Sequence, residues 1–255
     1  MNVALLLQIT RQDLVDRYAG SLLGGLWTFI QPLVNMLVFI LVFSRVMSAR
    51  LPDLGGAYSY SIYLISGLLG WVAFSSTLTR TTTVFLDQAS LIKKVRISLW
   101  SFPLSIILSD TIVFVISLFF FLVFLALVSH PLTTNIAWLP LVFVIQQAFA
   151  YSLGLIFASF TVFFRDIKES VSVLVQLWFW MTPIVYVASI LSEQTQYYLK
   201  LNPMYSVIDA YHSILLLGEP PAVTRLIWLA AMVALLIVLS GWVLRRLESD
   251  IRDLL

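Results

Sequence analysis

The stretch Arg11–Pro32, RQDLVDRYAGSLLGGLWTFIQP, decides the fold class. It opens on a charged segment with helical periodicity, passes through glycines and runs unbroken into apolar sequence. No charged residue occurs between Tyr18 and Ser44. Such a pattern lays one segment in a membrane surface and sends the next across the membrane. On a helical wheel Leu7, Leu14, Val15 and Tyr18 share one face, and Gln12, Asp13, Asp16 and Arg17 share the other. Arg11 falls on the apolar face, where its stem can lie along lipid and its guanidinium can meet a phosphate. Residues 1–20 are expected to form an interfacial helix. A passive surface anchor fits the same residues.

The composition agrees. The 255-residue chain is 60% hydrophobic and 11% charged, with a mean hydropathy of +0.97. Soluble domains carry about 25% charged residues. The expectation is an all-α integral membrane protein. In hydrocarbon, backbone polar groups must pair internally, and long continuous apolar runs select helices over an alternating barrel. The net charge of +2 is too small to indicate nucleic-acid binding. The absence of cysteine excludes disulfides and thiol chemistry. No signal-peptide pattern opens the chain, so the first span is expected to serve as the insertion signal.

Six spans are expected, over residues 27–47, 58–79, 102–128, 138–164, 171–190 and 226–244. Gly67 and Gly70 are expected to bend the second. Eleven of the 15 lysines and arginines lie on one side of this topology. Their excess places both termini in the cytoplasm. The outer stretch 191–224 is too apolar for an ordinary loop and too short for two crossings. Asn202-Pro203, apolar residues at helical spacing from Val207 to Leu215, and Gly218 mark a helix there. A re-entrant helix pair is the expected arrangement.

Several elements are candidates for function, each with a plainer alternative. In the inner loop, residues 86–97, Asp87 is placed to cap a short helix with Leu91 and Ile92 apolar and Lys93, Lys94 and Arg96 basic. A cytoplasmic partner can push on such a helix; a solvated basic loop that sets orientation has the same composition. In the fifth span Trp178, Phe179, Trp180 and Tyr186 concentrate aromatic rings, and Trp178 and Trp180 lie too deep for an interfacial belt. They suit stacking on sugar rings, or ordinary helix packing. Asp110, inside the third span, demands a partner; a hydroxyl or an inner arginine is the plain reading. His130 and His212 are far apart in sequence, and no metal, phosphate-loop or Ser/His/Asp motif occurs.

At these residues the chain resembles the membrane subunit of ABC exporters of lipid-linked polysaccharides, such as O-antigen, capsule and teichoic acid. The resemblance is carried by Asp13-Leu14-Val15-Asp16-Arg17-Tyr18, Ser21-Leu22-Leu23-Gly24, Leu26-Trp27 and Gln31-Pro32-Leu33. It continues through Ser90-Leu91-Ile92-Lys93-Lys94-Val95, Phe164-Arg165-Asp166-Ile167, Thr182-Pro183-Ile184 with Tyr186, and Asn202-Pro203. It departs at Ile97-Ser98, where relatives often carry Phe-Pro, and at His212, where they often carry arginine. The resemblance implies a homodimer in the bacterial inner membrane with two copies of a separate ATP-binding subunit, which would hold ATP and magnesium. It implies that Arg11, Arg17, Tyr18 and Trp27 receive a lipid headgroup. Gln31, Asn35, Trp178, Trp180 and Tyr186 would line a channel for an undecaprenyl-linked glycan, and Asn202, Pro203, Tyr211 and His212 would form its outer gate. The segment Asp87–Arg96 would couple to the ATPase. A related permease for a lipid or drug, or a membrane glycosyl- or phosphotransferase on the same carrier, are the rival readings; the last lacks the clustered acids it would need.

Overall fold

The computed structural model describes residues 3–17, 20–42, 58–94 and 97–255. The described residues are helical and carry no strand. Among the described residues four helices are long and apolar enough to cross a membrane: α3 (Ser59–Asp87), α5 (Ser101–Leu127), α6 (Leu139–Thr161, led by a 3-10 turn from Thr134) and α10 (Val223–Leu254). The other helices are α1 (Val3–Asp16), α2 (Trp27–Ile40), α4 (Ala89–Lys94), α7 (Ile167–Trp180), α8 (Glu193–Leu199) and α9 (Pro203–His212).

Helix α3 is the centre of the bundle. It packs on α5, α6, α7 and α9, and small residues let its neighbours approach. A Cβ on Gly154 of α6 would lie 2.7 Å from Thr81 Cβ, and one on Gly70 would lie 2.8 Å from the Tyr211 ring. Gly67 similarly admits His212. Gly67 and Gly70 do not interrupt α3, which runs unbroken for 29 residues, and they serve close packing. At 1.5 Å per residue α3 is about 43 Å long, and it projects beyond a ~30 Å hydrocarbon layer.

The expected crossing over 171–190 is helical only to Trp180. Pro183 is the reason. It lacks an N–H and disfavours helical backbone at Thr182, so the helix closes just before it. At 14 residues α7 measures about 21 Å, short of a ~30 Å crossing. Helix α2 is also 14 residues, and the outer end of the expected first span, from residue 43, lies outside the described residues.

Two apolar clusters organise the packing. The larger surrounds the middle and one end of α3 and includes Phe74, Phe121, Val142, Ile184, Met204 and Ile208. The smaller sits at the other end and joins Ile9 of α1, Phe85 of α3, Ile92 of α4, Phe102 of α5 and Ile251 of α10. The first and last helices thus meet on one platform. The expected outer helix pair is present but unequal. Helix α9 buries Met204, Val207, Ile208, Ala210 and Tyr211, while α8 buries nothing and exposes Tyr197 and Tyr198. Helix α9 starts as its sequence dictates, with Asn202 as N-cap and Pro203 in its first turn. A π-turn, Ser213–Leu217, ends at Gly218 in the left-handed region with φ of 68°.

Candidate functional site

The chemistry-bearing side chains collect at three levels of the bundle. The first is a charge clasp joining α1, α3 and α5. Asp110 on α5 is almost fully buried and accepts from Arg80 Nη1 at 2.9 Å, Thr77 Oγ1 at 2.9 Å and Ser76 Oγ. It also accepts from Arg17, while Arg80 donates its other nitrogen to Asp13 and Ser109 donates to Asp13. Two cations and two carboxylates balance, which is the condition for tolerating charge in a low-dielectric site. The plain reading of Asp110, hydroxyls plus inner arginine, is what the structure shows.

The clasp revises the wheel of α1. Its packed face is Leu6, Ile9, Thr10, Asp13 and Arg17, at helical spacing. Asp13 and Arg17, assigned to the water-facing side, turn into the protein because partners on α3 and α5 await them. Leu7 and Val15 remain uncovered, 58% and 59% exposed, and Arg11 is exposed with them. The helix thus keeps an apolar outer face for lipid and a charged inner face for the bundle. Tyr18 lies outside the described residues. Trp27, 38% exposed, donates its indole N–H to Ser21 Oγ at 2.8 Å and closes the turn between α1 and α2.

Beside the clasp a cleft of about 410 Å³ runs between α2, α3 and α5. Gln31 and Asn35, one turn apart on α2, line it together with Arg17 and Asp110. The structure therefore unites two of the expected channel residues with Arg17, and separates them from Trp178 and Trp180 on the other short helix, α7, and from Tyr186 in the segment that follows it.

The second level is the platform. Asp87 does not cap α4. It is the last residue of α3, and its carboxylate accepts the Thr83 hydroxyl one turn back at 2.6 Å. That bond is available because α3 continues farther than the span expected from hydropathy. Ile92 is buried in the smaller cluster and Leu91 packs at its edge, while Lys93 and Lys94 are exposed. Arg96 lies outside the described residues. Just beyond, Arg252 of α10 donates to the Ile97 carbonyl at 2.7 Å and pairs with Glu248 at 3.0 Å. Helix α4 is thus held from below by its isoleucine and presents its lysines outward.

The third level is the unwound segment after α7. Breaking the helix frees carbonyls, and two tyrosines of α3 satisfy them. Tyr63 Oη lies 2.7 Å from Tyr186 O and 2.9 Å from Pro183 O and shares its one proton between them, and Tyr60 Oη donates to Val185 O. Tyr63 also stacks on His212, ring centroids 4.0 Å apart, and the His212 ring nitrogen meets Tyr63 O at 3.1 Å. Asn202 locks the other side. Its Oδ1 accepts from Trp178 Nε1 at 2.8 Å and Met204 N at 3.0 Å, and its Nδ2 donates to Thr182 Oγ1 at 3.0 Å. Trp178 is half-buried with its edge toward Phe74 and Phe149, whereas Trp180 is 60% exposed. Tyr186 donates to Trp180 O at 3.2 Å. Tyr211 is fully buried between Gly70 and Phe114.

Arg80, Ser109, Tyr60 and Tyr63 were not singled out by sequence, and Asp13 was read only as part of a polar face and a motif. For Arg80 a signal existed: a cation ending one span and an acid inside the next are candidates to pair. For the tyrosines there was none, because their acceptors are backbone atoms about 120 residues away.

A bundle of apolar helices with a buried, balanced charge clasp and an unwound segment pinned against it defines a multipass membrane protein. Residues 4–216 match the ABC-2 type transporter membrane family. The O-antigen export system permease protein RfbA of Myxococcus xanthus is 33% identical over 235 residues, 91% of this chain and 88% of that protein. An O-antigen export system permease protein RfbA of Klebsiella pneumoniae is 30% identical over 217 residues, 84% and 81% of the two chains. The chain belongs to the ABC-2 type transporter membrane family.

Proposed function

We propose that this chain is the permease of an ATP-driven exporter that moves an undecaprenyl-linked polysaccharide, O-antigen, across the bacterial inner membrane. The observation that carries this reading is the 33% identity to an O-antigen export permease sustained over 91% of this chain. Two permeases would pair, and two ATP-binding subunits would dock on the cytoplasmic side, where both termini lie. ATP hydrolysis belongs to those subunits and not to this chain.

The geometry supports assignments within that frame. Lys93 and Lys94 project from a helix whose Ile92 is seated among α1, α3, α5 and α10. A push on α4 would therefore reach the first and last helices through packed side chains. The faces of α2 and α7 left uncovered within one protomer are apolar, with Leu33, Leu37, Val173, Leu177 and Met181 exposed. They are the surfaces with which two protomers would frame a channel, with Trp180 and Tyr186 along it. Gating at the outer side would mean breaking the tyrosine–carbonyl bonds and the Asn202 junction, with Pro203, Tyr211 and His212 moving as one with α9. Arg11 and Trp27 remain headgroup contacts, since both are exposed at the membrane-facing side of α1 and α2.

The test is co-purification with the co-encoded ATP-binding subunit, followed by ATP hydrolysis and polymer export in reconstituted vesicles. A complex that hydrolyses ATP and exports the lipid-linked polymer is the expected result. Failure to bind any ATP-binding subunit would overturn the reading.

A further inference from the structure

Helix α10 is fastened at both ends by an arginine. It runs for 32 residues, Val223–Leu254, with no proline in it. At 1.5 Å per residue Arg225 and Arg252 stand about 40 Å apart along its axis, more than the ~30 Å hydrocarbon layer. Between them α10 packs along α6.

The inner end grips the connection between α4 and α5. Ile97 and Ser98 are not helical, and a backbone carbonyl outside a helix needs a partner from elsewhere. Arg252 donates to Ile97 O at 2.7 Å, while Glu248, one turn back, holds the guanidinium at 3.0 Å. The side chains of Ile97 and Leu99 are buried in one cluster with Leu244 and Ile251. Trp100 touches α10 about three turns from Arg252: a Cβ on Gly241 would lie 2.9 Å from its Cη2. A Ser-Gly pair is where a long helix bends, and Trp100 braces Ser240-Gly241 at that point.

The outer end grips α9. Arg225 donates to Asp209 Oδ2 at 2.7 Å, and its guanidinium lies 5.4 Å from the centroid of the Tyr205 ring. Tyr205 and Asp209 are one turn apart on α9, so one arginine bridges two turns of it. Helix α9 also carries Asn202 and His212, which tie it to the unwound segment and to α3. Each turn of α10 is closed by backbone hydrogen bonds, so the helix resists stretching between its two arginines.

We propose that α10 is a tie-rod across the membrane, in which Arg252 and Arg225 are positioning residues that pin its inner end to the segment after α4 and its outer end to α9. Movement of α4 is then delivered to α9 through one helix, without passing through the fifth-span aromatics. This rests on the export reading for the force that moves α4. Both pins are partly exposed polar pairs, which contribute little to stability, so either can be cut with the chain still folded.

The test uses the full chain with its co-encoded ATP-binding subunit in lipid vesicles. The chain has no cysteine, so Ser206→Cys on α9 gives a single site for a water-soluble maleimide. ATP is expected to change its labelling rate in the otherwise unaltered chain. Arg252→Leu and Arg225→Leu should each cut that change, and the polymer exported per ATP hydrolysed, about tenfold, with subunit binding and hydrolysis retained. Arg252→Lys, which keeps a donor, should recover at least half of the loss, as should Asp209→Arg combined with Arg225→Asp. The double variant Arg225→Leu, Arg252→Leu should be no worse than the worse single, because the pins act in series; losses that multiply overturn the proposal. So does an ATP-driven change at Ser206→Cys that is absent from the unaltered chain or survives in Arg252→Leu. Loss of subunit binding in Arg252→Leu would make that arginine a docking contact and overturn its role as a pin. An unaltered chain that binds no ATP-binding subunit removes the export reading and the rod with it, whereas normal export per ATP in both single variants removes the rod alone.

Discussion

Asn202→Ala removes four hydrogen bonds at the junction between α7 and α9. Asn202 Oδ1 accepts from Trp178 Nε1 at 2.8 Å and from Met204 N at 3.0 Å. Its Nδ2 donates to Thr182 Oγ1 at 3.0 Å and to Met181 O at 3.3 Å. Loss of the N-cap costs about 1 kcal/mol. Leaving the half-buried Trp178 N–H without an acceptor costs about 1–2 kcal/mol, and the two Nδ2 bonds add roughly 0.5 kcal/mol each. Because these bonds share one side chain, the sum is not strictly additive, and a total of about 3 kcal/mol is expected. The assay is denaturant unfolding of the detergent-solubilised protein across a cycle of Asn202→Ala, Trp178→Phe and the double variant. The double variant should lose about 1 kcal/mol less than the sum of the singles, since both remove the same bond. Asn202→Asp, which keeps an acceptor for the cap and the indole, should retain at least half the stability that Ala loses. Strict additivity in the cycle, or equal losses for Asp and Ala, would refute the junction as described.

Other expectations follow from the same contacts. Arg80→Ala strips partners from Asp13 and Asp110 and should cost about 3–5 kcal/mol, partly restored by Asp13→Asn, in the same unfolding assay. Gly70→Ala places a Cβ 2.8 Å from the Tyr211 ring and should cost about 1–3 kcal/mol, relieved when Tyr211 is shortened to Leu in the same chain. Lys93→Glu with Lys94→Glu should leave insertion and stability within about 0.5 kcal/mol, because both side chains are exposed, and yet abolish ATP-dependent export. Trp180→Ala should alter export at nearly unchanged stability, whereas Trp178→Ala should lower stability as well, since only Trp178 is packed and bonded.

The outline of this fold was legible because lipid imposes a local rule. Long apolar runs must be helices, and the runs holding α3, α5, α6 and α10 could be found by length alone. The N-cap and opening proline of α9 were equally local, a few residues read in place. Where the reading failed, the deciding contact was distant. The helical wheel of α1 assigned Asp13 and Arg17 to water, because a wheel does not know that Arg80 and Asp110 stand opposite. Hydropathy ran the fifth span ten residues past the end of α7 at Trp180, because apolar sequence continues past Pro183 while that helix does not. Gly67 and Gly70 look like weak points in isolation and become contact points only beside Tyr211 and His212.

The sequence by itself determined that this is a helical membrane protein, where most of its spans lie, and which short motifs relate it to polysaccharide export permeases. Each of these depends on residues within a turn or two of one another and on the solvent they share. Tertiary structure alone decided that two arginines and two aspartates from three helices form one neutral clasp. It also decided that two tyrosines hold an unwound segment by its carbonyls, and that Gln31 and Asn35 share a cleft with Arg17 and not with the fifth-span aromatics. The physical reason is the same in each case. In a low-dielectric interior a polar group must find a partner, and which partner it finds is set by how helices pack, not by their order along the chain.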